Sequence, residues 1–313
     1  MWATIKEMTT QMQPTQKNSN INIDNNNYES DSDPLFIANT FNTFFTSMGS
    51  QNNATKKLDF QLNSSTDKHS SNQSMYLRKI NTLEVNNIIS NMKGDSAPGK
   101  DGISNNIVKQ IKESLSEILA HIFNTILWEG TIPDYFKSAI VTPIYKNGDK
   151  KLINNYRPIS LLNIFSKIFE RAIKTRLLDY LEENNILPKS QYGFRKNLGT
   201  EDALARLSMD IYRNLNNNKK TLGIFLDLKS YLDNRKQQVR INNTLSDEII
   251  ITTGVPQGTV LSPILYIIYV SSLSHLNIHG KLFSYADDRA ILVSGDNWDE
   301  VHLKAETETT LDK

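Results

Sequence analysis

Not one cysteine occurs among the 313 residues. That absence removes disulfides, zinc ribbons, iron–sulfur clusters and thiol nucleophiles together, and it fits an intracellular address. Long apolar runs are missing too. The longest, Val260 to Leu273, covers 14 residues, short of the roughly 20 that a membrane-spanning helix needs. Met1-Trp2-Ala3-Thr4-Ile5-Lys6 leads straight into polar residues and so lacks the apolar core of a secretory signal. No internal repeat, no Gly-Lys-Ser/Thr phosphate loop and no Gly-x-Ser-x-Gly elbow occurs, which argues against P-loop and elbow-type hydrolase chemistry. His275 and His279 have the spacing of paired metal ligands, but no third ligand accompanies them and the segment reads as loop.

What remains is an ordinary foldable composition, with 38% hydrophobic and 22% charged residues. At about 150 residues per domain the length predicts roughly two domains. The net charge of +1 hides a contrast: Lys137 to Lys196 holds 12 Lys/Arg against 5 Asp/Glu, whereas Gly280 to Lys313 holds 4 against 8. A basic wall beside an acidic centre fits polyanion and cation binding, but charge blocks are common, and on charge alone two solvated faces that happen to differ are the simpler reading.

Asn18 to Asp33 and Gly49 to Ser74 are poor in large apolar residues and read as linker; a short helix near 34–47 lies between them. One helix is predicted over 104–129, with Ile107, Ile111, Leu115, Ile118, Ile122 and Ile126 forming one apolar stripe, ended by Gly130 and Pro133. A strand over 137–145 and a turn at 146–149 follow, then helices over 161–184 and 200–215. In the helix over 161–184, Phe165, Ile168, Ala172, Leu177 and Leu181 face inward and Lys167, Arg171 and Lys174 outward. Thr221 to Leu228 reads as a buried strand, 237–251 as a strand pair, Ser262 to Leu273 as a central helix apolar on every side, and Lys281 to Ser294 as a hairpin.

The hairpin tip is Tyr285-Ala286-Asp287-Asp288. Two adjacent carboxylates repel, and a hard divalent cation would relieve the repulsion; Asp-Asp is also common turn chemistry. Phe225-Leu226-Asp227-Leu228 closes an apolar strand with an acid, which wants a cation, a donor or water. Gly254-Val255-Pro256-Gln257-Gly258 offers a loop that another backbone can approach closely, with a Gln that both donates and accepts.

The ordered series Ser96-Ala97-Pro98-Gly99-Lys100-Asp101-Gly102, Asn155-Tyr156-Arg157-Pro158-Ile159-Ser160-Leu161, Gln191-Tyr192-Gly193-Phe194-Arg195, Phe225-Leu226-Asp227-Leu228, Gly254 to Pro263 and Tyr285-Ala286-Asp287-Asp288 closely resembles the reverse transcriptase domain of non-LTR (LINE-type) retrotransposons, in particular the insect jockey-like elements. The resemblance spans 96–294 and reaches weakly to Ala38-Asn39-Thr40-Phe41-Asn42. It implies an α+β right-hand polymerase fold with fingers and palm, the palm an antiparallel sheet backed by helices. The division it implies is an N-terminal region 1–75, fingers and the start of the palm over 76–222, and palm over 223–313. It implies RNA-directed DNA synthesis: Asp227, Asp287 and Asp288 as catalytic ligands of two Mg²⁺ (Mn²⁺ also suits them), and Arg195, then Arg157, at the incoming triphosphate. Gln257 and Gly258 would lie against the nascent base pair. The implied partners are an RNA template, a DNA primer and deoxynucleotides, with a nuclear location by the same resemblance. Lys146, Lys150, Lys151, Lys167, Arg171, Lys174 and Lys196 would meet nucleic-acid phosphates.

The chain also departs from that pattern. Asp227-Leu228 runs directly into Lys229-Ser230-Tyr231-Leu232, where the family carries a further palm helix and an aromatic that selects the sugar; Leu232 takes the aromatic's place. An incomplete palm with exposed apolar sheet surface is expected, and the thumb is not found before Lys313. The second functional reading is therefore a catalytically inactive remnant that at most binds nucleic acid.

Overall fold

A computed structural model describes residues 20–23, 26–29, 33–50, 75–227, 235–251, 257–271, 278–286 and 288–309. Helices and strands cluster separately rather than alternating, an α+β architecture. Contacts divide the chain into two units that interleave along the sequence. The first draws on Met1–Arg176 and Tyr231–Ser262, the second on Leu177–Ser230 and Pro263–Lys313. This partition follows contact in space, whereas the boundaries at 75 and 222 follow composition and motif order.

In the first unit β1 (Asn20–Ile23) pairs with β2 (Asn26–Glu29), so part of the Asn-rich stretch read as linker is a hairpin. Its only sequence signals are the alternating Ile21 and Ile23 and the aromatic Tyr28. The predicted short helix is α1 (Pro34–Ser50). Ile37, Phe41 and Phe45, four residues apart on one face, bury against Val141 and Val239. Beside them Asn42, fully buried, donates to Ser246 Oγ at 3.0 Å and the Asp247 carbonyl at 2.8 Å, and accepts from Gln237 Nε2 at 2.8 Å. A buried amide with its groups matched this way fixes the position of a helix that apolar contact alone would let slide.

The residues that α1 covers belong to a mixed sheet of order β4-β3-β6-β7, with β8 also on β6. Here β3 (Ser138–Tyr145) lies antiparallel to β4 (Tyr156–Leu162) and parallel to β6 (Arg235–Ile241), and the short β7 (Thr244–Leu245) and β8 (Ile249–Ile251) complete it. Helices α2 (Thr82–Ser90), α3 (Asn105–Gln110), α4 (Lys112–Glu129) and α5 (Asp134–Lys137), with the first turns of α6 (Ile164–Glu183), build a second core around Val85, Ile89, Phe123 and Ile168. Expectations for two helices change here. The helix over 104–129 breaks at Ile111 (φ −107°, ψ 14°). Its core side is Leu119, Ala120, Phe123 and Ile126, while Ile107, Ile111, Ile118 and Ile122 stay 40–57% exposed. Two apolar stripes share this helix, and the one with the large aromatic Phe123 is buried. Likewise the helix predicted from 161 starts at Ile164, because Tyr156–Leu162 pairs with β3. Lys167 does not point outward as expected: its Nζ donates to the Ala97 carbonyl at 2.9 Å.

In the second unit three antiparallel strands are ordered β5-β10-β9: β5 (Lys220–Asp227), β10 (Asp288–Gly295) and β9 (Lys281–Tyr285). On one face Ile291 and Val293 pack with Leu222, Ile224 and Val301 of α9 (Trp298–Thr309). On the other, Phe283, Ala290 and Leu292 pack with Leu207 and Ile211 of α7 (Thr200–Asn216). Both faces of β10 are thus covered, which explains its unbroken apolar run Ala290-Ile291-Leu292-Val293. The expectation that β5 is buried holds only in part. Gly223 and Phe225 border a cleft of about 630 Å³ beside α7, and Phe225 is 77% exposed, because β5 is an edge strand. A third cluster joins Leu181 and Leu187 to Ile264, Tyr266 and Ile267 of α8 (Ser262–Ser271). No described helix is long and apolar enough to cross a membrane.

Candidate active site

The two acidic segments meet in the β5–β10 ladder. Its register runs from Gly295 opposite Lys220 to Asp288 opposite Asp227. Residues directly opposite in an antiparallel pair have Cα atoms about 4.5–5.5 Å apart. Sixty-one positions of sequence therefore collapse to neighbouring strand ends, and like charges opposite each other are unfavourable without a counter-ion. Asp288 is exposed at this end, and Asp287 lies outside the described residues. Tyr285 pairs with Asp288 across the β9–β10 hairpin, and Ala286 between them takes a left-handed φ of 57°. A tight hairpin demands positive φ, and a residue with a Cβ holds it at a cost of about 1 kcal/mol or more. Among the described residues no group of three or more His, Cys, Asp or Glu gathers. His279 is exposed, and His275 lies outside the described residues.

The segment Gln191–Arg195 borders this hairpin. Gln191 forms a parallel bridge with Ser284, Tyr192 N–H donates to the Ser284 carbonyl at 2.8 Å, and Ser284 N–H donates to the Ser190 carbonyl at 2.8 Å. Arg195, expected at a triphosphate, instead closes its fork on Glu182 (Nε–Oε1 2.9 Å, Nη2–Oε2 2.6 Å) and donates from Nη1 to the Pro188 carbonyl at 3.0 Å. Arg157 is exposed on β4.

In the first unit Gln257 and Gly258 are exposed. The Gln257 carbonyl accepts from Ser160 N–H at 2.7 Å. Gly258 has φ +95°, and a Cβ there would stand 3.1 Å from the Ser160 carbonyl oxygen, so the loop does meet another backbone closely, that of β4. Glu170, 4% exposed, accepts from Val260 N–H at 2.9 Å and Leu261 N–H at 3.1 Å. Sequence reasoning missed Glu170, because an acid between Phe169 and Arg171 looks like one more solvated charge.

The seven cations expected at phosphates divide by exposure. Lys146, Lys150 and Lys151 stand exposed at the β3–β4 turn, with Lys150 Nζ 5.5 Å from the Tyr145 ring centroid, and Lys196 is exposed as well. Lys167, Arg171 and Lys174 are half-buried, and burial lowers the pKa of each. Arg171 lines a cleft of about 600 Å³ with Arg78, Lys79 and Asn87.

Comparison with known proteins bears on the same residues. Positions 144–312, which hold Arg157, Arg195, Asp227, Gln257, Gly258, Asp287 and Asp288, match the reverse transcriptase (RNA-dependent DNA polymerase) family. The chain is 31% identical over 257 residues to the probable RNA-directed DNA polymerase from transposon BS of Drosophila melanogaster, covering 71% of this chain and 28% of that protein. It is 31% identical over 255 residues to the RNA-directed DNA polymerase from mobile element jockey of the same species, 70% of this chain and 28% of that one. The probable polymerase from transposon X-element is likewise 31% identical, over 68% of this chain and 27% of the relative. The chain thus spans 27–28% of the length of these curated relatives. With the family's match running across more than half of the sequence and through the strands that carry the paired acids, this chain belongs to the reverse transcriptase family.

Proposed function

We propose that the chain is the polymerase part of a non-LTR retrotransposon's RNA-directed DNA polymerase, extending a DNA primer on an RNA template. The observation that carries this reading is the ladder register that sets residue 227 opposite residue 288. Hard carboxylate oxygens on adjacent strand ends suit a divalent cation of the Mg²⁺ or Mn²⁺ kind. In this reading Asp227, Asp287 and Asp288 hold two such ions, which when bound activate the primer 3′-hydroxyl and stabilise the leaving pyrophosphate. The rest is positioning, the main source of catalysis in phosphoryl transfer. Arg157, exposed on β4, offers its fork to the triphosphate; Arg195 is already closed on Glu182 and would meet a phosphate only on leaving it. Gln257 and Gly258 lie against the nascent base pair, and Lys146, Lys150, Lys151 and Lys196 meet backbone phosphates. We read 76–222 as fingers and the start of the palm, and 223–313 as palm.

Primer extension on an RNA template with Mg²⁺ tests the reading. The wild type extends the primer, and Asp288→Ala lowers the rate at least about a hundred-fold, as loss of one preorganised charge-stabilising group does. No extension by the wild type, or full extension by Asp288→Ala, overturns it. RNA binding without extension would leave a nucleic-acid-binding remnant.

A further inference from the structure

Arg195 has a partner that is not phosphate, and Ser190–Gly193, two to five residues before it, touch the very turn that carries the acids. Ser190 and Tyr192 bond the N–H and the carbonyl of Ser284, one residue before Tyr285. Gln191, 2% exposed, turns its Oε1 back to accept the Gly193 N–H at 3.0 Å. That bend brings Gly193, itself buried, against the turn: a methyl group at Gly193 would overlap the Ala286 amide nitrogen and stand 3.1 Å from both the Ala286 Cα and the Tyr285 carbonyl carbon. Ala286 is the residue held at φ 57°. A strained backbone persists only where its surroundings over-determine it. Here the surroundings are one face of glycine backbone, two amide–carbonyl bonds and a buried glutamine.

We propose that Ser190–Gly193 is a positioning strut for the acidic turn, with Gly193 as its contact point, Gln191 as its bend and the Arg195–Glu182 pair as its anchor. The strut holds Ala286 in its left-handed conformation and thereby fixes residue 288 opposite residue 227. Gly193 is a positioning residue, since it acts through the backbone of Tyr285 and Ala286. Glycine is required because the space that a Cβ would occupy is filled by the turn's own backbone. The consequence for metal binding rests on the polymerase reading; the consequence for the turn's order does not.

The experiment compares wild type with Gly193→Ala, Gln191→Met, Asp288→Asn and a control, Gly130→Ala, which strains the C-terminus of α4 (φ 66°) in the first unit. Two quantities are read: Mn²⁺ affinity, from titration of the free ion by electron paramagnetic resonance, and peptide-level hydrogen exchange across 281–290. Gly193→Ala and Gln191→Met are expected to weaken Mn²⁺ binding at least ten-fold and speed exchange at 284–288 at least ten-fold; Gly130→Ala changes neither. Gln191→Met keeps the test open should Gly193→Ala not fold. Unchanged exchange at 284–288 in both variants overturns the strut. Mn²⁺ binding that is equal in wild type and Asp288→Asn overturns the polymerase reading instead, and the exchange result still decides the strut.

Discussion

Burying a carboxylate is costly unless donors meet it, and one oxygen of Glu170 in α6, Oε2, accepts from two consecutive backbone amides, Val260 and Leu261, just ahead of α8. Removing the carboxylate leaves two half-buried donors without it, at up to about 1–3 kcal/mol each. Glu170→Ala is therefore expected to lower unfolding free energy by about 2 kcal/mol or more in urea titration, and Glu170→Gln, which keeps one acceptor oxygen, by less than half as much. Equal losses in the two variants would show that volume, not the acceptor, is what matters. The contrast with Asp227 and Asp288 is instructive. An acid closing an apolar strand and an acid doublet in a turn stand out in the sequence, since their surroundings make the charge anomalous. Glu170 sits next to Arg171 and three residues from Lys167, where an acid looks like one more solvated charge. Gly193 hides for another reason: its partner, Ala286, lies 93 positions away, and no local pattern records what a glycine faces.

Elements were legible where one signal dominated. The stop of α4 is such a case: Gly130 takes φ 66° and its N–H bonds the Ile126 carbonyl, as a left-handed helix end requires. So is the β9–β10 hairpin, whose outer bounds, Lys281 and Gly295, the hairpin expected over 281–294 matches to within a residue. The face of α4 was not legible, because isoleucines at 111, 118 and 122 and the set Leu119, Phe123 and Ile126 both recur at helical spacing. Only contact with Ile168 and Phe169 of α6 decides between them. The edge exposure of Phe225 escaped for a similar reason, since strand composition says nothing about which strand lies outermost. The two stripes of α4 make a clean test. Ile118→Gln, on the exposed stripe, is expected to shift stability by no more than about 0.5 kcal/mol, whereas Leu119→Ala, one residue on, costs about 2–5 kcal/mol. Chemical denaturation of both variants checks this, and a reversed order would mean that the helix is rotated by one residue's turn of about 100°.

At the scale of the whole molecule the charge asymmetry read from the sequence survives only in part. The segment from Lys137 to Lys196 is basic by count, yet Arg176 is 2% exposed in its side chain and ion-paired to Glu84. Arg195 is held by Glu182, and Lys167 faces the Ala97 carbonyl, with a pKa lowered by burial. Counting charges cannot distinguish a cation aimed at water from one that closes a fold. The cations left in solvent at the β3–β4 turn are Lys146, Lys150 and Lys151, close enough in sequence to follow one nucleic-acid backbone. Each phosphate contact to a single strand contributes about 0.7 to the slope of log affinity against log salt. Replacing all three lysines with glutamine is therefore expected to flatten the slope for single-stranded RNA by about 2. Lys167→Met should lower thermal stability and leave the slope where it is. Fluorescence anisotropy with a labelled RNA across a salt series measures both. A slope unmoved by the triple change would take nucleic acid away from this turn, and a slope moved by Lys167→Met would mean that the Ala97 contact opens when RNA binds.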